Sequence, residues 1–125
     1  MTRYVLDTTF VIDHLRGDPA ALARFDRIFA DGDQPVVTEV IACEAWAGAP
    51  IDGDPALESL LMGTEFVQAG PDAARRAGLW RQRARSRGHV LSLADALIAS
   101  AADDGVVLTR NLRDFGLTPV RVERY

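Results

Sequence analysis

Arg3-Tyr-Val-Leu-Asp-Thr-Thr-Phe-Val-Ile-Asp-His-Leu-Arg-Gly17 is the stretch from which the fold can be read. Tyr4, Val5 and Leu6 form a short apolar run that reads as a buried strand. Val11, Ile12 and Leu15 then resume at helical spacing until Gly17 closes the turn. Asp7, with Thr8 and Thr9, stands at the hand-over. A carboxylate in that place lies at the carboxyl edge of a sheet, where open α/β folds put their ligands. Asp is also a common helix N-cap, so Asp7 alone does not separate capping from chemistry. The remainder of the chain bears on the choice, because it sends further carboxylates to the same kind of place.

Outward from this unit, short apolar strands alternate with helices. Asp18-Pro19 gives a cap followed by proline at the first helical position, with Leu22, Phe25, Ile28 and Phe29 as the apolar stripe up to Asp31-Gly32. Pro35–Val37 reads as a second strand, and Thr38 can cap a helix running to about Gly48. A Gly-, Pro- and Asp-rich loop over Ala49–Asp54 leads to a short helix at Ala56–Met62, then to a possible strand Glu65–Val67. Pro71-Asp72 opens an arginine-bearing helix that closes near Gly88. Ser92 caps a helix from Leu93 to about Asp104, Val106–Thr109 is a strand, and Val120–Val122 adds a last one. This order implies a mostly parallel sheet covered on both faces.

The 125 residues form one domain, 1–125, with no linker, repeat or low-complexity segment. Their 48% hydrophobic and 26% charged content is that of a soluble globular protein. No apolar run reaches membrane-spanning length, and the amino terminus lacks a signal-peptide pattern. The one cysteine, Cys43, cannot form an internal disulfide, which fits a reducing cytoplasm. Among Ile41, Ala42 and Ala45 it reads as a small buried core residue. The net charge of −4 does not advertise nucleic acid, but its distribution is informative. There is no lysine, and six of the fourteen basic residues are arginines between Arg75 and Arg87, an interval without an acid. Arginine binds phosphate bidentately, and it also makes solvated faces and ion pairs, so both roles stay open for this helix.

Counted from Val37, the next helix carries a stripe of Val37, Val40, Ile41, Glu44, Ala45 and Gly48. That puts Glu44 on the apolar face, where an ionised carboxylate needs a salt bridge or a metal. Glu39, off the stripe, reads as a solvated first-turn charge. Asp95 stands one residue from the stripe Ala94, Leu97, Ile98 and Ala101, and Ser92–Asp95 also fits a capping box. Asp114 follows the Val106–Thr109 strand, in what could equally be an Asn/Asp turn. Three or four carboxylates around one crevice repel unless a cation is present, and an all-oxygen set suits Mg²⁺ or Mn²⁺ rather than Zn²⁺. His14 and His89 lack the spacing of a zinc site.

The chain resembles the PIN-domain ribonucleases, in particular the VapC-type toxins of bacterial toxin–antitoxin pairs, over nearly its whole length. The resemblance is carried by Leu6-Asp7-Thr8-Thr9 and by Glu44 four residues before Gly48. It continues with Leu93–Ala99 (Leu-Ala-Asp-Ala-Leu-Ile-Ala), and with Thr109-Arg110-Asn111 followed by Asp114-Phe115. It implies a three-layer α/β/α sandwich and a divalent-metal site of Asp7, Glu44, Asp95 and Asp114. Thr9 would support that site, and Asn111 would hold water, metal or a neighbouring carboxylate. It further implies a homodimer, an antitoxin whose carboxyl-terminal segment blocks the crevice, and hydrolysis of RNA phosphodiesters. Arg81, Arg83 and Arg85 are then candidate RNA contacts, and Trp46 and Trp80 candidate anchors for a protein partner or else core aromatics.

Three other readings compete. A signalling receiver domain shares the length and the acidic strand ends, but it needs a lysine that this chain lacks. A haloacid-dehalogenase-type phosphatase wants an Asp where Thr9 stands. A non-catalytic module that binds RNA or a partner would leave four acidic positions filled without use.

Overall fold

The computed structural model describes residues 1–125. Its elements run β1 (Arg3–Leu6), α1 (Thr8–Leu15), α2 (Pro19–Ala30), β2 (Gln34–Thr38), α3 (Glu39–Ala47) and α4 (Pro55–Met62). They continue with β3 (Glu65–Val67), α5 (Pro71–Ser86), α6 (Leu93–Ser100), β4 (Val106–Leu108), α7 (Leu112–Phe115) and β5 (Arg121–Glu123). All strand pairs are parallel, in the order β3-β2-β1-β4-β5, and the helices flank the sheet as the outer layers of an α/β/α sandwich. This order differs from the 2-1-3-4-5 arrangement of flavodoxin-like folds, which removes the receiver-domain alternative on topology as well as chemistry.

The middle of the sheet is buried on both faces, which is why β1, β2 and β4 read as continuous apolar runs rather than alternating ones. Val5 pairs with Val36 on one side and Val107 on the other, and all three are at most 1% exposed. Ile28, Ile41, Leu57, Ile98 and Phe115 close the layers over the sheet. Polar side chains start most of the helices. Asp18 Oδ2 accepts from Ala21 N, Thr38 Oγ1 from Ile41 N, and Ser92 Oγ from Asp95 N.

Several expectations need correction. The helix begun at Leu93 stops at Ser100, where the Ala101 N–H folds back onto the last carbonyls; Asp103 then takes φ 52° in the turn to β4. The one-turn helix α7 was not anticipated, being too short to show a periodicity. Helix α3 buries Ile41, Ala42 and Ala45, so Cys43 points the opposite way and is exposed. Val37 lies in β2, so a stripe counted from it is rotated relative to the true one, and Glu44 sits at the edge of the buried face in contact with solvent. Glu39 is half-buried instead of solvated, its Oε1 accepting from Ala69 N at 2.9 Å. Trp80 is a core residue at 8% exposed, whereas Trp46 keeps 37% of its surface in water.

Gly105 sets how β4 enters the sheet. A Cβ there would lie 2.5 Å from the Arg3 carbonyl oxygen and 2.8 Å from that of Ala102, both fixed backbone. Gly105→Ala should therefore push β4 off β1 and lower stability by about 1–3 kcal/mol, seen as a fall in the urea midpoint. An unchanged midpoint would show that this approach is not tight in solution.

Candidate active site

Asp7 is the N-cap of α1 and is 4% exposed. Its Oδ1 accepts from the Thr8 backbone N–H at 2.7 Å. Its Oδ2 accepts from two hydroxyls, Thr9 Oγ1 at 2.9 Å and Thr109 Oγ1 at 2.7 Å. The parallel pairing of β1 with β4 delivers Thr109 across 102 residues of sequence, and the Asp7 N–H donating to Leu108 O at 3.1 Å fixes that register. Capping and site-building are thus the same act at Asp7.

The bonding continues outward from Thr109. Its hydroxyl accepts from the Asn111 N–H at 2.9 Å while donating to Asp7. The Asn111 side chain caps α7 by accepting from Asp114 N at 3.3 Å, and its Nδ2 donates to Asp114 Oδ2 at 2.9 Å. Asn111 therefore orients Asp114. On the other flank Thr8 Oγ1 donates to Glu44 Oε1 at 2.6 Å, tying α3 to the start of α1. Thr8 and Thr109 were not singled out from the sequence. Both stand inside the motifs Leu6–Thr9 and Thr109–Asn111, but adjacency to a strand end, which many threonines share, gave neither a role of its own.

Asp95 lies on the first turn of α6, half-buried, its N–H held by Ser92 Oγ at 3.0 Å. Burial and the Asp7 charge, followed by those of Asp114 and Glu44, push its carboxyl up to about 6 against the Ser92 hydroxyl. Asp95 thus feels the charges of Asp7, Asp114 and Glu44, and Asp7 that of Glu44, around the crevice expected at the carboxyl edge of β1 and β4. Asp7 is likewise raised, chiefly by burial and slightly by Glu44, although its three donors pull it down. No three of these side chains stand close enough to enclose one ion as they are placed. Asp7, Glu44 and Asp114 are instead each turned onto a hydrogen-bond donor of the protein.

A second cluster braces the loop between β4 and α7. The Arg110 guanidinium donates to Asp13 Oδ2 at 3.2 Å and to Asp18 Oδ2 at 2.9 Å, and lies 4.6 Å over the Tyr125 ring. The Tyr125 hydroxyl donates to Asp13 Oδ2 at 2.6 Å, and its ring packs edge-on against Phe10. Of the candidate RNA contacts, Arg81 is half-buried with its Nε donating to Leu91 O at 3.0 Å, which is a structural task. Arg83 and Arg85 are exposed.

Two outcomes test this geometry. Thr109→Val removes one donor from a buried carboxylate and an acceptor from Asn111, and should cost about 1–3 kcal/mol in urea unfolding and raise Asp7 further in a carbon-detected titration. A fold-neutral Thr109→Val with an unmoved Asp7 would remove the threonine from the site. For Asp95 the folded carboxyl is raised above its ordinary 3.8. The resulting stabilisation is complete below that value and is lost as pH climbs through about 6. In chelator, the melting temperature should fall between pH 4 and pH 7 by more in the wild type than in Asp95→Asn. Equal falls would show that Asp95 is not the titrating group.

Residues 4–112 match the family model described as the PIN domain. Ribonuclease VapC19 of Mycobacterium tuberculosis is 32% identical over 117 residues, covering 92% of this chain and 94% of that protein. Among solved structures, VapBC2 from Rickettsia felis, bound to a promoter DNA fragment, superposes with a TM-score of 0.85 at 17% identity, covering 98% of both chains. VapBC-1 from nontypeable Haemophilus influenzae gives 0.81 at 20% identity, over 98% of this chain and 97% of that one. At such identities these two likenesses speak for the fold, and their sandwich is the one seen here. With nearly the full chain matched in sequence and in topology, and the acidic crevice at the strand ends, this protein belongs to the PIN-domain family.

Proposed function

We propose that this protein is a metal-dependent endoribonuclease, the toxin of a toxin–antitoxin pair, that hydrolyses RNA phosphodiester bonds in the crevice of Asp7, Glu44, Asp95 and Asp114. The observation that carries the reading is the full-length sequence relationship to a ribonuclease, together with the carboxylates crowding Asp95. The donor set fits Mg²⁺ or Mn²⁺: four carboxylates and an amide, all oxygen ligands, with excess negative charge that a divalent cation would relieve. Turning Glu44 or Asp114 off its single side-chain donor toward the fixed Asp7 is a side-chain rotation, so the spacing as it stands does not oppose such an ion. When bound, the cation would polarise the phosphate and lower the pKa of an attacking water.

The protein's own residues have separable tasks. Asp7 is immobilised by Thr8, Thr9 and Thr109 and gives the site its fixed oxygen. Asp95, raised by burial and then by its acidic neighbours, is suited to holding a proton at its carboxyl below about pH 6 and surrendering it as the surrounding charge is neutralised. Asn111 aims Asp114, and Thr8 aims Glu44. A protein partner has surface to use here. An apolar pocket of about 310 Å³ beside Glu44 is lined by Val40, Cys43, Leu93 and Leu97, and the half-exposed Trp46 lies on the same helix as Glu44. An antitoxin segment lying over it would cover the crevice, and a second copy forming a homodimer belongs to the same proposal. No helix is long and apolar enough to cross a membrane.

The wild type should cut single-stranded RNA with Mg²⁺ or Mn²⁺ and fail in chelator. Asp7→Asn should lower cutting by at least about a hundredfold while keeping its circular dichroism spectrum. Added Mn²⁺ should raise the melting temperature of the wild type and not of the variant, since only the folded site binds it. Undiminished cleavage by a folded Asp7→Asn protein, or cleavage that ignores chelator, would end the proposal.

A further inference from the structure

Beside the acidic crevice lies a pocket of opposite charge. It is about 300 Å³, at the lower end of the range of ligand sites, and is formed between the end of α5 and the turn that follows α7. Arg83 and Arg87 supply its cations, His89 an exposed imidazole, Trp80 an aromatic wall, and Leu117 and Thr118 the far side. No acid lines it. Gly116, also in the wall, is two residues beyond Asp114, so pocket and crevice are separated by no more than about 7 Å of chain.

The arginines on α5 are not equivalent. Arg76 donates to Ser100 O at 2.9 Å and Arg81 to Leu91 O at 3.0 Å, so both fasten α5 to the α6 region. Arg83 and Arg87 take part in none of the ion pairs, which involve Arg3, Arg24 and Arg110. Four residues apart, they share one face of the helix end, where like charges repel. The helix dipole favours cations at this end, but it does not ask them to converge on a cavity with a histidine and an indole. Guanidiniums beside an exposed imidazole are an arrangement that holds a single-stranded nucleic acid, guanidinium on phosphate and base against the His89 ring, with the largely buried Trp80 indole backing the cavity.

We infer that this pocket binds a phosphate-bearing nucleotide of single-stranded RNA flanking the bond held in the acidic crevice, which rests on the ribonuclease reading above. The chain is acidic overall, and the crevice repels any phosphate not neutralised within it. RNA therefore needs a cationic foothold next to the cut, and this pocket is the one adjoining Asp114. The foothold involves Arg83, singled out as a candidate RNA contact, and Arg87 from the same arginine run, together with His89, for which no such role was expected. Arg85, on the same helix, does not line the pocket.

The test measures binding apart from cutting. In the full-length Asp7→Asn background, fluorescence anisotropy with a fluorescein-labelled twelve-nucleotide single-stranded RNA of mixed sequence is followed from 50 to 300 mM salt. Adding Arg83→Gln and Arg87→Gln together should weaken binding at least about fivefold and flatten the log–log salt slope by about 0.7, the loss of one phosphate contact. Arg85→Gln should change the slope by less than half of one contact. His89→Ala should weaken binding without unfolding the chain. Circular dichroism and melting of each variant separate lost contacts from lost fold, and all four side chains are exposed. Equal effects of the pocket pair and Arg85 would reduce the pocket to general charge and overturn the inference. So would stronger competition by a glutamate-rich peptide than by unlabelled RNA, or an absence of RNA binding. Wild-type cleavage, run in parallel, keeps the ribonuclease reading separate: cutting that survives with pocket variants unaffected sinks the pocket alone.

Discussion

Asp7 is a carboxylate taken almost entirely out of water, a transfer that is expensive unless every lone pair finds a partner. The partners come from three directions: the helix it starts, the residue two further on, and a strand made a hundred residues later. Satisfying this one group demands that β1 and β4 be adjacent, parallel and in a single register. Those conditions also bring Asn111 and Asp114 to the same edge, and α1 then carries Thr8 to Glu44. The crevice is thus assembled as a by-product of solvating one buried acid with hydroxyls and amides instead of water.

Neutral donors surround that acid, and the consequence is electrostatic. An arginine partner would cancel the charge and leave nothing for a cation to do. Threonine hydroxyls orient the carboxylate but leave its negative charge in place, to be felt by Asp95 and to add to those of Glu44 and Asp114. Arg110, the residue after Thr109, is tied instead to Asp13 and Asp18 and seated on Tyr125. Opposite charges are kept on opposite sides of the same loop.

The β1–α1 unit was legible because strand and helix periodicities change within a few residues, and the parallel sheet followed from the alternation of short apolar runs with helices. The positions of Asp7, Asp95 and Asp114 at strand or helix ends were legible for the same reason. Glu44 was found by a faulty route: the stripe that nominated it was counted from a strand residue, and the true helix leaves it at the solvent edge. Cys43 shows the same rotation error in the other direction. Thr8 and Thr109 were invisible because their roles depend on strand pairing and side-chain direction, which local pattern does not encode. The arginine helix could be read as cationic, but not which guanidiniums are spent on carbonyls. That is decided by how α5 packs on its neighbour.

The strand order places β1, the first made, in the middle of the sheet, between β2 and β4. During synthesis β1 can gain one neighbour early, but its other edge stays open until most of the chain has emerged. Pairings of such long sequence separation are slow to form. An unfinished chain therefore carries Asp7 without Thr109 and without Asp114, a carboxylate with no crevice around it. The edge is complete only after translation has passed the last of these residues, so the site's assembly is tied to the end of synthesis and not to its beginning.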